Sequence, residues 1–364
     1  MDIRLENVLE YEQPTKYIVK SENYSDDFAL PVLTAGKSFV LGFTDETDGI
    51  CKASESPVII FDDFTADCKY VDFDFKVKSS AMKILHKANT EDNLKYYFYA
   101  MQAIDYTPFS HKRVWISEYS KFKIKNRSIA EQNNIVKELD TVATAIDNAK
   151  QRLNALDELV KSRFIEMFGD IRISSIFPNI ALENFAQIGS SKRVHAADYV
   201  ESGVPFYRSK EIIELGNGQE PSVELFISKK QYESIKKTNG VPCKGDILMS
   251  AVGTIGKMWI VDGRKDFYYK DGNIISIHSE ETNPIYLKEA LANLIDDFKS
   301  ANVAGSAYSA LTIVKLKKMT VPMPPMSIQN EFADFVKLID KSKFVGYFTL
   351  NIFYVKSSHF HHPP

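Results

Sequence analysis

Between residues 135 and 160 the apolar side chains Ile135, Leu139, Val142, Ile146, Ala149, Leu153, Leu156 and Val160 follow one another at alternating steps of 4 and 3. That spacing is the a/d seam of a heptad and places all of them on one stripe of a helix. It predicts one helix over 132–167, about 54 Å long at 1.5 Å per residue, with Gly169 as its stop. An amphipathic helix lying on a globular core is the alternative, but unbroken 4-3 spacing over this length favours a helical partner. A second seam opens near the other end with Ile328, Phe332, Phe335 and Ile339 and breaks down at Phe344-Val345-Gly346. No acidic residue follows Asp340, and His359, His361 and His362 crowd the terminus. The second helix is therefore expected to be cut short near 343. Residues 344–364 then form an atypical tail, such as a frameshift or fusion would leave, or a native apolar docking tail. So shortened, it would leave Ile135, Leu139, Val142, Ile146 and Leu153 partly exposed.

Each seam closes one copy of a repeated plan. Leu5-Glu6-Asn7-Val8 opens the chain and Leu182-Glu183-Asn184-Phe185 reopens it, while Gln132 before the first seam falls on Gln329 before the second. The predicted layout is a strand-rich region over 1–126, a long helix over 127–170, a second strand-rich region over 171–326, and the start of a second helix over 327–343. Strands are expected at Val58–Phe61, 69–75, Asp246–Met249 and Met258–Val261, and helices at Ser80–Lys87 and Glu91–Gln102. No regular βαβ alternation appears, so the class is α+β and a doubly wound nucleotide fold is unexpected.

The 364 residues carry 45 basic and 48 acidic side chains, a net charge of −3. The first region holds 16 basic and 20 acidic residues, the second 19 and 17. Neither is basic enough for a tight, independent nucleic-acid binder, so any such contact must be a local patch or be completed by partner subunits. Cys51, Cys68 and Cys243 are dispersed, which argues against a disulfide framework and a tetrahedral zinc site. No signal-peptide layout and no run of 18 apolar residues is present, so a cytoplasmic protein with no membrane partner is expected.

Catalytic signatures are missing. Gly253-Thr254-Ile255-Gly256-Lys257 lacks the glycine spacing and the Ser or Thr of a Walker A loop. It is either a turn presenting amides and side chains to a phosphate or an ordinary hairpin turn. Asp62, Asp63 and Asp67 match a Mg²⁺-dependent nuclease only crudely and read better as a solvated turn. Basic and hydroxyl residues do gather at turns: Thr34, Gly36, Lys37 and Ser38 in the first copy, and Lys192, Arg193, Arg208, Ser209, Lys210, Ser250, Thr254 and Lys257 in the second. Tyr268 and Lys270 add an aromatic and a cation. Such residues on loops suit phosphate anchoring and groove reading, and solvated surface is the alternative.

On this layout, Pro31–Lys37, Val58–Phe64, Gly245–Lys257 and Val321–Gln329 carry a resemblance to the specificity (S) subunit of bacterial type I restriction-modification systems. The resemblance covers 1–343 and implies two strand-rich target recognition domains, separated by long coiled-coil helices, each reading half of a split double-stranded DNA target. It implies a non-catalytic chain that binds no cofactor. S-adenosylmethionine, ATP and Mg²⁺ would sit on two methyltransferase subunits and on restriction subunits that join them. Ile135, Leu139, Val142, Ile146, Leu153, Leu156, Val160, Phe332, Phe335 and Ile339 become the interface between the helices and with those partners. The competing reading is a coiled-coil scaffold that binds no DNA.

Overall fold

A computed structural model describes residues 1–35, 38–109, 112–171, 174–302 and 311–359, without the side chains of 174, 300–302 and 347–359. Two compact units result: Met1–Ala149 with the stretch from Leu350 on, and Lys150–Thr349. The dividing lines fall inside the two long helices, because each globular half packs on the helical segment beside it.

In the first unit, Leu9–Glu12, Met82–Lys87, Val58–Asp62 and Cys68–Val71 form an antiparallel sheet in that order. A second sheet joins Val40–Thr44, Leu30–Leu33 and Lys76–Val77, the last pair parallel. Helix α1 (Leu94–Gln102) covers the first sheet, Asp2–Arg4 pairs with Lys123–Lys125, and α2 (Ile129–Phe168) follows. Ser80–Lys87 is thus not the predicted helix. Its Met82, Lys83, Ile84 and Leu85 are all buried in a central strand, and a short continuous apolar run cannot be assigned by period alone. The strand expected over 69–75 likewise ends at Val71.

The second unit repeats this plan. Gln187–Gly189, Ile274–His278, Ile247–Ser250 and Met258–Ile260 form the antiparallel sheet. Tyr199–Val200, Phe226–Ile227, Val204–Tyr207 and Tyr268–Tyr269 form the sheet that ends in a parallel pair. Asn179–Ala181 pairs with Thr320–Pro322. Helices α3 (Ser209–Gly216) and α4 (Lys229–Thr238) are additions to the plan, α5 (Pro284–Asn302) takes the place of α1, α6 (Ile313–Lys318) is a further addition, and α7 (Met326–His359) takes that of α2.

Both copies fasten the long helix to the globular part through the same buried amide. Gln132 is 1% exposed. Its Oε1 accepts the Asn93 N–H at 2.9 Å and its Nε2 donates to the Arg127 carbonyl at 3.1 Å, while Asn93 Nδ2 donates to Asn133 at 2.8 Å. Gln329, also 1% exposed, accepts from Asn283 N–H at 2.8 Å and donates to the Pro324 carbonyl at 2.9 Å, and Asn283 Nδ2 donates to Asn330 at 2.8 Å. Tyr96 and Tyr286 complete the match by donating to the carbonyls of Lys125 and Pro322.

Within the second unit α2 and α7 run antiparallel. Phe164 meets Phe332 edge to face, Arg163 pairs with Glu331 at 3.2 Å, and Lys343 pairs with Asp157 at 2.6 Å. Leu153, Val160, Phe332 and Ile339 are buried, and Leu156 and Phe335 are half-buried. Ile135, Leu139, Val142 and Ile146 in the first unit are half-buried. Two expectations are corrected. The helix continues to His359 rather than stopping near 343, since Phe344, Val345 and a single Gly346 break a heptad without breaking a helix. Leu153 is not left exposed, because Gly346 lets α7 approach it: a Cβ at 346 would lie 3.0 Å from Leu153 Cδ2.

Replacing Gln329 by Ala leaves the Asn283 amide and the Pro324 carbonyl unpaired and should cost about 1–3 kcal/mol for each group left unmet. Thermal unfolding of Q329A should show a clear loss of stability, larger than for alanine at exposed Asn330; an unchanged midpoint would refute the clasp.

Candidate nucleic-acid interface

Several turns of the second unit are tied together at one end of its antiparallel sheet. Ser190 Oγ donates to the Ile274 carbonyl at 3.3 Å and accepts from Gly272 N–H at 3.2 Å. Ala251 N–H donates to the Asn273 carbonyl at 2.8 Å, and Lys270 N–H to the Tyr207 carbonyl at 2.9 Å. These bonds draw 190–193, 251–257 and 270–273 beside the end of strand Val204–Tyr207, where Arg208 begins α3. Lys192, Arg193, Lys210, Thr254, Lys257 and Lys270, scattered over 79 positions of sequence, all reach solvent here.

Two sequence candidates are withdrawn. Ser250 is completely buried: its hydroxyl donates to the Thr254 carbonyl at 2.5 Å and accepts from Lys257 N–H at 3.0 Å, so it staples the turn rather than facing a ligand. Tyr268 is 1% exposed and its hydroxyl accepts from Lys192 N–H at 2.7 Å, which positions the loop but offers no ring face for stacking. Burial pushes its phenol above the ordinary range. Ser209 is half-buried with its hydroxyl closed to solvent. Gly256 is required twice over: its φ is +80°, and a Cβ would meet Ile295 Cγ2 on α5 at 2.4 Å.

The cations divide into two kinds. Lys192, Lys257 and Lys270 have no carboxylate partner among the described residues. Arg193 Nε bonds Asp271 at 2.8 Å, Arg208 bonds Glu211 at 2.9 Å and Glu224 at 2.8 Å, and Lys210 bonds Glu224 at 3.2 Å. Arg208 first and Lys210 second hold the Glu224 carboxyl below the usual carboxylate range. Asp271 and Glu224 were not legible in sequence, because their partners lie 78, 16 and 14 positions away.

The first unit carries the equivalent turns. Thr34 follows Leu30–Leu33 as Arg208 follows Val204–Tyr207. Its N–H and hydroxyl bond the Phe39 and Ser38 carbonyls, so Thr34 closes its own hairpin; Ser38 is exposed, and Gly36 and Lys37 lie outside the described residues. Lys78 N–H donates to the Leu33 carbonyl as Lys270 does to Tyr207, which marks Lys78 as the counterpart that the sequence reading missed. Lys78 is ion-paired to Glu22. The turn equivalent to 250–257 is Asp62–Asp67: Asp62 N–H bonds the Asp67 carbonyl and Ala66 N–H bonds Asp62, as Ser250 N–H bonds Lys257 and Gly256 N–H bonds Ser250.

That turn gives the nuclease reading no support. Asp62 Oδ1 accepts Phe64 and Thr65 N–H, while buried Asp63 accepts Trp115 N–H at 2.8 Å and pairs with buried Lys83 at 3.4 Å. The carboxylates are committed to the chain's own amides and ammonium. Among the described residues no group of three or more His, Cys, Asp or Glu could hold a metal ion, and no helix is long and apolar enough to cross a membrane.

Residues 177–344 match the family model described as the type I restriction modification DNA specificity domain. The chain is 47% identical over 162 residues to the Escherichia coli type I restriction enzyme EcoR124I/EcoR124II specificity subunit, a match spanning 41% of this chain and 40% of that subunit. The fold as a whole is similar to that of a crystallised type I restriction-modification S subunit from M. genitalium. There the TM-score is 0.57 at 14% identity, over 99% of this chain and 94% of that one. A second solved chain, from work on complex assembly and conformational transition of the type I restriction-modification system, gives a TM-score of 0.51 at 13% identity over 99% and 96%. With the duplicated plan and the two long helices, these likenesses agree: residues 177–344 match the type I restriction modification DNA specificity domain, and the fold is similar to that of solved S subunits of type I restriction-modification systems.

Proposed function

We propose that the chain is the sequence-reading, non-catalytic subunit of such a complex. Each strand-rich unit reads one half of a split double-stranded DNA target, and two methyltransferase subunits, with restriction subunits as further partners, supply the chemistry. S-adenosylmethionine, ATP and Mg²⁺ then belong to those partners. The observation that carries this reading is the gathering of Lys192, Lys257, Lys270, Arg193 and Thr254 at one sheet end by turns that are distant in sequence. Cations and hydroxyls on loops fixed by a rigid sheet can neutralise phosphates and enter a groove. A type I reader working with methyltransferases places an adenine for extrusion from the stack rather than acting on it.

Coexpression with the methyltransferase subunit of its own system, followed by sequencing of methylated adenines in the host genome, tests the whole reading. Copurification with methylation at a split motif is expected; failure to associate would reject it. Duplex binding tests the surface. Lys257→Ala and Lys270→Ala should each flatten the dependence of log affinity on log salt by about 0.9, one phosphate contact apiece, with unchanged thermal stability. Slopes unchanged from that of the unaltered chain in both variants would move the DNA contact elsewhere.

A further inference from the structure

On this proposed DNA surface three cations have no carboxylate partner among the described residues and three do. Arg193 is held by Asp271, while Arg208 and Lys210 share Glu224. These pairings are built in by backbone. Phe206 N–H bonds the Leu225 carbonyl at 2.9 Å and Pro205 sits opposite Phe226, so Glu224 is delivered across the ladder to the residues that follow Tyr207. Asp271 is set by its neighbours, since Lys270 N–H bonds Tyr207 and Gly272 N–H bonds Ser190. Arg208 has a second, buried partner in Glu211, whose other oxygen caps α3 by accepting Arg208 N–H at 2.7 Å. Glu224 is therefore not needed to orient Arg208, and its side chain is 57% exposed. Its evident consequence is to engage Arg208 Nη2, alongside Glu211, and the Lys210 ammonium.

Resting on the DNA-reading function, we propose that Glu224 and Asp271 are specificity-determining residues that hold Arg208, Lys210 and Arg193 away from the phosphates of random DNA. Non-specific binding is almost entirely phosphate neutralisation, and each phosphate engaged adds about 0.9 to the salt slope. A carboxylate seated on a cation removes that contact and repels a phosphate arriving nearby, which disfavours the wrong partner more than the right one. Exposed ion pairs are weak, so a duplex aligned by base-edge contacts can displace them where a misaligned one gains too little.

The test is equilibrium binding of the full chain to random duplex DNA between 50 and 200 mM salt, a range in which phosphate contacts dominate. Glu224→Gln should bind more tightly than the unaltered chain, with a slope steeper by about one to two. Asp271→Asn should steepen it by about one through Arg193. Adding Lys210→Gln to E224Q should return about one of that gain. Glu280→Gln, past the opposite end of strand Ile274–His278, makes the same change of net charge and should leave the slope unaltered. Equal slopes for the unaltered chain, E224Q and D271N would overturn the inference, as would an equal gain in E280Q. Binding by none of them at low salt would instead reject the DNA-reading function, and the inference with it.

Discussion

One buried primary amide at the start of each long helix governs the arrangement of everything around it. Gln132 and Gln329 each accept the first free N–H of a neighbouring helix and donate to the carbonyl just before their own. A glutamine serves because it offers an acceptor and two donors on one rigid plane. Left unmet in the core, either group would cost more than the bond itself yields. Asn93 and Asn283 lock the direction by spending their side chains twice, once as N-cap and once as donor to the residue after the glutamine. A helix that entered at another angle would strand all these groups together.

With entry fixed in this way, the turns at the far end of each sheet are free to change. Asp62–Asp67 and Ser250–Lys257 keep the same backbone bonds, and each needs a left-handed residue before the return strand, Ala66 at φ +62° and Gly256 at φ +80°. Their chemistry differs completely. The first turn is acidic and satisfied internally; the second presents Thr254 and Lys257 outward and hides Ser250 beneath them. The loop after Leu33 is a short hairpin, whereas the loop after Tyr207 contains α3 and the Arg208, Lys210 and Glu224 group. The shared scaffold thus carries two turns of different charge.

The heptad and the duplication were legible because both are periodic: apolar residues at 4-3 steps and the paired Leu-Glu-Asn and Gln landmarks survive without any knowledge of contacts. Gln132 and Gln329 could be matched in sequence, but their burial could not, since it depends on Asn93 and Asn283 some forty positions earlier. The strand at Met82–Lys87 was misread because burial on both faces erases alternation. Among the candidate contact residues, the exposure of Lys192, Lys257 and Lys270 followed from residue type at turns. Ser250 and Tyr268 have the same polar chemistry but point inward, which only the fold decides. The extent of α7 was misjudged for a related reason: loss of the heptad changes which face a helix buries, not whether its backbone stays helical.

A reader of sequence faces competition from every other phosphate in a genome, so surplus positive charge is a liability as much as an asset. The net charge of −3 and the carboxylates placed against Arg193, Arg208 and Lys210 point the same way. On the proposed contact surface Lys192, Lys257 and Lys270 have no carboxylate among the described residues, while Arg193 and Arg208, whose planar fork suits guanine edges and phosphates alike, each carry one or more. Electrostatics of this kind sacrifices affinity in isolation. On the proposed function it becomes workable, because partner subunits would grip the duplex and the loops would need only to distinguish one alignment from the rest.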